Sequence, residues 1–260
     1  FARVLVQATM PHSKTAELVY ARQNGDLQLR MVADPKYGLP YGSYPRLLLA
    51  WMTTEAVRTK SPCLELGPSL GSFMSKLGLI PTGGRWGTIA PLRRQIEAVC
   101  SMSISAEFRN DVATEFEALR VTRGVKLWWD PRRPDQGTLW RSTISLSTDF
   151  YNQVVDRPVP VSLEALRALK RSPLALDLYA WLTYRAFRLR RPSVVVPWQA
   201  LQLQFGAGYP DDKRGRYNFK KKATQALGKV VDAYPELRVS PTPQGLEVLR
   251  CLPSVKRRRD

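Results

Sequence analysis

Between Phe205 and Val231 the chain reads FGAGYPDDKRGRYNFKKKATQALGKVV, and Lys213, Arg214, Arg216, Tyr217, Asn218, Lys220, Lys221, Lys222, Thr224 and Gln225 crowd cations and amide donors into one stretch. Such groups meet phosphate oxygens and the base edges of a DNA major groove. Within the same stretch Phe219, Ala223, Ala226, Leu227, Val230 and Val231 recur at the spacing of one side of a helix of about 3.6 residues per turn. A helix with one core face and one cationic face is predicted. Cations in a first helical turn oppose the helix dipole by roughly a few tenths of a kcal/mol each, so an external polyanion explains them better than a solvated surface, the usual fate of a charge run. Asp211-Asp212, flanked by Lys213 and Arg214, reads as the turn and N-cap of this helix rather than a Mg²⁺ site.

The rest of the chain supplies the field. Its 260 residues carry a formal net charge of +18, with 40 Lys and Arg against 22 Asp and Glu, which favours polyanionic partners. Residues 157–260 hold 21 cations and 8 acids, and residues 1–156 hold 19 and 14, so the excess sits in the second part. No run approaches the roughly 18 apolar residues of a membrane span, and neither a lipidation signal nor a signal peptide is evident. A cytoplasmic protein without membrane contact is expected. The chain starts at Phe1 rather than Met, as a processed or trimmed one would. Cys63, Cys100 and Cys251 are odd in number and widely spaced, as reduced and mostly buried thiols would be.

The elements that must position the cationic helix come in two similar runs. Val4 to Met31 alternates as a small β element, with Asn24-Gly25 favouring a type I′ turn. A helix from Pro45 to about Lys60 follows, then a short strand at Leu64 to Leu66, a helix over Ser69 to Leu77, and a third from about Thr88 to Ser101. In the third, Ile89, Leu92, Ile96, Val99 and Cys100 form the inner stripe, leaving Arg85, Arg93, Arg94 and Gln95 outward. Val121 to Trp129 and Leu139 to Leu146 alternate as strands joined by a loop holding Arg132 and Arg133. The second run has helices near Ser162 to Lys170 and Ser172 to Arg190, a strand at Val194 to Val196, a helix at Pro197 to Phe205, the cationic helix, and a hairpin of Leu237 to Val239 and Leu246 to Leu252 that includes Arg250. The expectation is an α+β chain of tandem winged-helix domains, each a helical bundle with a β-hairpin wing. The domains fall at 1–156 and 157–252, with a disordered basic tail at 253–260.

Several blocks carry a family likeness. Lys36-Tyr37-Gly38-Leu39-Pro40-Tyr41-Gly42 with the helix after it, Gly83-Gly84-Arg85-Trp86-Gly87-Thr88-Ile89, and above all Arg171-Ser172-Pro173-Leu174-Ala175-Leu176-Asp177-Leu178-Tyr179-Ala180-Trp181-Leu182-Thr183-Tyr184-Arg185 resemble the plasmid replication initiators of the iteron-binding RepA type. The resemblance implies tandem winged helices and sequence-specific binding of double-stranded DNA at direct repeats in a plasmid origin. It implies recruitment of a host initiator and replicative helicase, and a homodimer, joined through the N-terminal domain, in equilibrium with a monomer that opens the origin. By position, the helix from Lys213 to Gln225 would enter a major groove, Arg85, Arg93 and Arg94 would engage a second groove or backbone, and Arg132, Arg133 and Arg250 would make wing contacts.

Enzymatic readings lack parts. A nicking initiator needs a His-hydrophobe-His metal cluster beside a nucleophilic Tyr, and His12 is the only histidine. A helicase needs Gly-x-x-x-x-Gly-Lys-Ser/Thr, whereas Gly67-Pro68-Ser69-Leu70-Gly71 lacks the Lys. No catalytic residue, cofactor or metal is assigned. Asp177 is expected as a surface or capping carboxylate, and Tyr179, Trp181 and Tyr184 as core rather than a stacking platform for bases. Trp128 and Trp129 point to opposite strand faces, one inward. The alternative reading is a two-domain winged-helix transcriptional repressor using the same helices.

Overall fold

The chain first reverses at Gly25-Asp26. The computed structural model describes residues 5–6, 9–109, 114–156, 158–252 and 254–255, and in it strand β1 (Val19–Asn24) pairs antiparallel with β2 (Leu27–Val32), Asn24 opposite Leu27. Of the two turn residues only Gly25 has a positive φ, 59°, the pattern of a type II′ turn with Gly first. The expected Asn-Gly type I′ turn is thus displaced by one residue. Helix α1 (Ser43–Thr59) carries Pro45 in its first turn and stops at Lys60, whose φ of 51° is left-handed. Strand β3 (Cys63–Gly67), helix α2 (Leu70–Lys76) and helix α3 (Ile89–Ser101) follow, with the Ser69 hydroxyl accepting the Ser72 N–H at the start of α2.

Here the chain makes an excursion that its sequence did not announce. Strands β4 (Ser103–Arg109) and β5 (Thr114–Arg120) return to the first hairpin and build an antiparallel sheet ordered β1-β2-β4-β5. Strands β6 (Thr122–Lys126) and β7 (Ser142–Leu146) then join β3 in the order β3-β7-β6, and helix α4 (Thr148–Asp156) closes the run. Both strands are shorter than their alternation suggested. Trp129 leaves the ladder to stack on Phe73 at 5.3 Å, while Trp128 stays half exposed.

The second run is helices α5 (Leu163–Leu169) and α6 (Pro173–Arg188), strand β8 (Ser193–Pro197), helices α7 (Trp198–Phe205) and α8 (Lys213–Ala233), and strands β9 (Val239–Pro241) and β10 (Gly245–Leu249). Its sheet is ordered β8-β10-β9. In each run a helix leads into a strand, two helices and two further strands, and the first strand lies beside the last. The proposed basic tail over 253–260 falls almost wholly outside the described residues.

One apolar core runs through both repeats. Buried residues from Leu5 to Val248 form a continuous cluster, α1 packs on α3, α4, α5, α6 and β3, and α7 packs on β1. At the centre lies an ion pair that corrects the expectation for Asp177. Asp177 is buried, and the fully buried Arg46 of α1 donates to both its oxygens from Nε and Nη2, each at 2.7 Å. The remaining guanidinium hydrogens reach the carbonyls of Met10, Pro11 and Gly42. His12, solitary in the sequence, lies 2.7 Å from Asp177 Oδ2. Burial pushes the Asp177 carboxyl up, but the Arg46 charge and the hydrogen bonds from His12 and Arg46 outweigh it and hold the group below the ordinary carboxylate value. A desolvated pair of this kind adds little net stability, yet losing one partner strands the other charge.

Candidate nucleic-acid interface

Helix α8 begins where Asp212 accepts the Gly215 N–H at 2.6 Å, the capping role expected of it. Gly215 is required by packing, since a Cβ there would lie 2.0 Å from the Pro210 carbonyl oxygen. The turn over 206–212 therefore clamps the first turn of the helix from one side. Gly215, Phe219, Ala223, Ala226, Leu227 and Val230 face inward, and α8 packs on α5, α6 and α7. Val231, expected inside, is 37% exposed, because one step past Val230 turns it about 100° away from the core.

The opposite stripe repeats the same spacing. Arg214, Tyr217, Asn218, Lys221, Thr224, Gln225 and Gly228 are all exposed, and none of their side chains is engaged in a hydrogen bond or ion pair among the described residues. These are the groups able to meet a groove floor. Arg216 lies off this stripe and pairs with Asp211 at 2.8 Å on the surface, a contact worth about 0–1 kcal/mol and easily given up. Lys220 is not free: its ammonium donates to the Thr242 carbonyl at 3.3 Å and lies 5.2 Å from the Trp198 ring. Trp198 Nε1 donates to the same carbonyl at 2.9 Å. Lys220 and Trp198 thus fix the β9–β10 turn beside α8 rather than reaching outward.

The remaining predicted residues are scattered. Arg250 follows β10 and its N–H bonds the Pro192 carbonyl, so it lies about 16 Å of strand from the turn at Gly245 and lines a cleft with Pro235 and Arg238 instead. Arg132 and Arg133 are exposed, but their loop is folded back, with Gly71 N–H on the Pro134 carbonyl and Thr138 N–H on the Pro68 carbonyl. Arg85 is exposed beside Trp86, which is itself 89% exposed. On α3, Arg93 pairs with Glu97 at 3.3 Å and Arg94 is exposed. Gln95, expected outward, is buried, and its Oε1 accepts the Tyr41 N–H at 2.8 Å.

Other side chains have settled roles. Tyr179 and Trp181 are core residues, meeting Tyr234 and Phe205 edge-on. Cys63 is exposed, against expectation, whereas burial pushes the Cys100 thiol up to about 11 and leaves it un-ionised at neutral pH. Sequence reasoning did not single out Arg171 and Lys229, which line one cleft, Lys229 from α8 itself and Arg171 from the turn before α6. A cation at i+7 from Lys222 on the predicted helix was the available signal for Lys229.

No helix among the described residues is long and apolar enough to cross a membrane, and among them no group of three or more His, Cys, Asp or Glu is placed to hold a metal ion. The fold is similar to domains 2 and 3 of RctB. One crystal structure of those domains matches with a TM-score of 0.61 over 95% of this chain and 96% of that one, at 12% identity. A selenomethionine form matches with a TM-score of 0.64 over 97% and 99%, again at 12% identity. No curated protein matches the chain. Residues 39–200 match the family model described as plasmid encoded RepA protein, a span that ends before α8 and takes in the joint between α1 and α6. The chain therefore belongs to the plasmid-encoded RepA family of replication proteins.

Proposed function

We propose that this chain initiates plasmid replication by binding direct repeats, iterons, in the plasmid origin through two winged-helix domains, 1–156 and 157–252. In this reading α8 lies in a major groove, the β9–β10 turn is the wing of the second domain, and α3 with the β6–β7 loop serves the first. The observation that carries it is the outward stripe of α8. Base-reading and phosphate-binding groups stand there unpaired, on a helix whose inner face is locked into the core and whose flank is pinned to the hairpin. Family membership supplies the replication context, and the +18 charge supplies the attraction to DNA. A homodimer in equilibrium with the monomer, repression of its own gene by the dimer, and recruitment of a host initiator and helicase complete the proposal.

Selection of bound duplexes from random and plasmid-derived pools at about 150 mM salt tests it, since nonspecific phosphate contacts are weakened there. Head-to-tail repeats protected in phase are the expected result. Enrichment of an inverted repeat instead would replace the initiator with a dimeric repressor.

A further inference from the structure

We propose that the cleft between α8 and the α5–α6 turn seats consecutive phosphates of the DNA strand that borders the groove on that side. The inference rests on α8 being the groove helix. The cleft has a volume of about 310 Å³, and its walls include His12, Arg171, Ser172, Lys222, Gln225 and Lys229 with no Asp or Glu among them. Arg171, Lys222 and Lys229 are exposed and form no ion pair among the described residues. Three uncompensated cations around one hollow, in a chain already at +18, favour an anion there. Asp177, which contacts His12 of the cleft wall, has its charge met by Arg46, and Asp232, one helical turn beyond Lys229, forms no ion pair with it among the described residues.

The start of α6 adds little to this attraction. Ser172 Oγ is committed to the Ala175 N–H at 3.3 Å, and Pro173 has no N–H to offer. Recognition is by side-chain charge. Lys222 and Lys229 stand seven residues apart on one helix, about 10 Å along its axis, too far for one free phosphate to bridge but suited to successive phosphates of a strand. The placement also matches a groove about 12 Å wide, whose two walls are backbone. On one flank of α8 stand Lys220 and the β9–β10 turn, and on the other stands this cleft.

The test uses the full chain and a selected site beside an unrelated duplex. Arg171→Ala and Lys229→Ala, both at exposed positions, should each lower the slope of log affinity against log salt by about 0.9, so that the loss between 50 and 200 mM shrinks about threefold. Preference among single-base variants of the site should not change. Phosphate-ethylation interference should disappear in each variant at one or two adjacent phosphates of a single strand. Wild-type slope and wild-type interference in both variants would overturn the proposal. So would ³¹P line broadening of inorganic phosphate that Arg171→Ala abolishes while the DNA slope stays the same, because the cleft would then serve a free anion. Failure of the groove reading itself is distinguishable, since the wild-type chain would then bind site and unrelated duplex alike.

Discussion

Helices α3 and α8 occupy the same place in two copies of one topology, yet their outer faces differ. On α3 the cation Arg93 is matched by Glu97, and Gln95 has turned inward to hold the Tyr41 N–H, which leaves Arg94. Along α8 the outward stripe runs from Arg214 to Gly228 without an acid, and Asp232 is the helix's sole carboxylate. The topology provides a helix with one face in the core and a hairpin beside it. What that helix can bind is decided by the residues on the stripe the core does not use. Unequal α3 and α8 would let one unit read sequence while the other contacts backbone or a protein partner.

One continuous core joins the elements that carry both helices, and Arg46 is where that joint can be broken. Arg46→Ala strands the buried Asp177 carboxylate and should cost about 3–5 kcal/mol in urea unfolding. An Arg46→Met, Asp177→Leu double variant should recover most of that loss. Acid attacks the same joint. The carboxyl of Asp177 is held below its ordinary value, so the pair stabilises the fold at pH above the unfolded carboxylate value. That contribution fades as pH falls from there through the lower folded value. In thermal melts across that window, Asp177→Asn should flatten the dependence.

Next in size are the groups proposed to read bases. Asn218→Ala should lose about 1–3 kcal/mol for the base pair it reads, measured by competition among single-base variants of the site. On the other helix Arg93→Ala, which removes one surface ion pair, should change stability by at most about 0.5 kcal/mol and leave base preference alone. Equal losses from both helices would erase the distinction between them. Lys221→Ala reads out differently, as a drop of about one in the salt slope with base preference retained.

Much of this was legible in the sequence where a single periodicity governs a segment. The inner stripe of α8, its Asp212 cap, Pro45 in α1 and the Ser172-Pro173 start of α6 all follow from local spacing and capping chemistry. The β4–β5 excursion did not, because β4 pairs with β2, whose residues come more than seventy positions earlier, and β5 pairs with β4, an arrangement that leaves no local mark beyond a weak alternation. Gln95 and Asp177 were misplaced for a related reason. Polarity suggests the surface, and only the tertiary fold brings up the Tyr41 N–H and the Arg46 guanidinium that satisfy them inside. Arg46 and Asp177, two opposite charges each embedded in an apolar helical run, were the available hint of a pair. Within the site, the outward stripe was readable, but Lys220's engagement with Thr242 and the opposing wall at Arg171 depend on neighbours far away in sequence.

The central claim is that α8 reads base edges in a major groove, and methylation interference at guanine N7 with the Arg214→Ala chain tests it most directly. The N7 atom lies on the major-groove edge, where an Arg binds bidentately with O6. The wild-type chain should show interference at guanines of each repeat, Arg214→Ala should lose it at one position per repeat, and Arg94→Ala should keep the full pattern. An interference pattern that Arg214→Ala leaves intact while Arg94→Ala erases it would contradict the account and move the reading helix to α3.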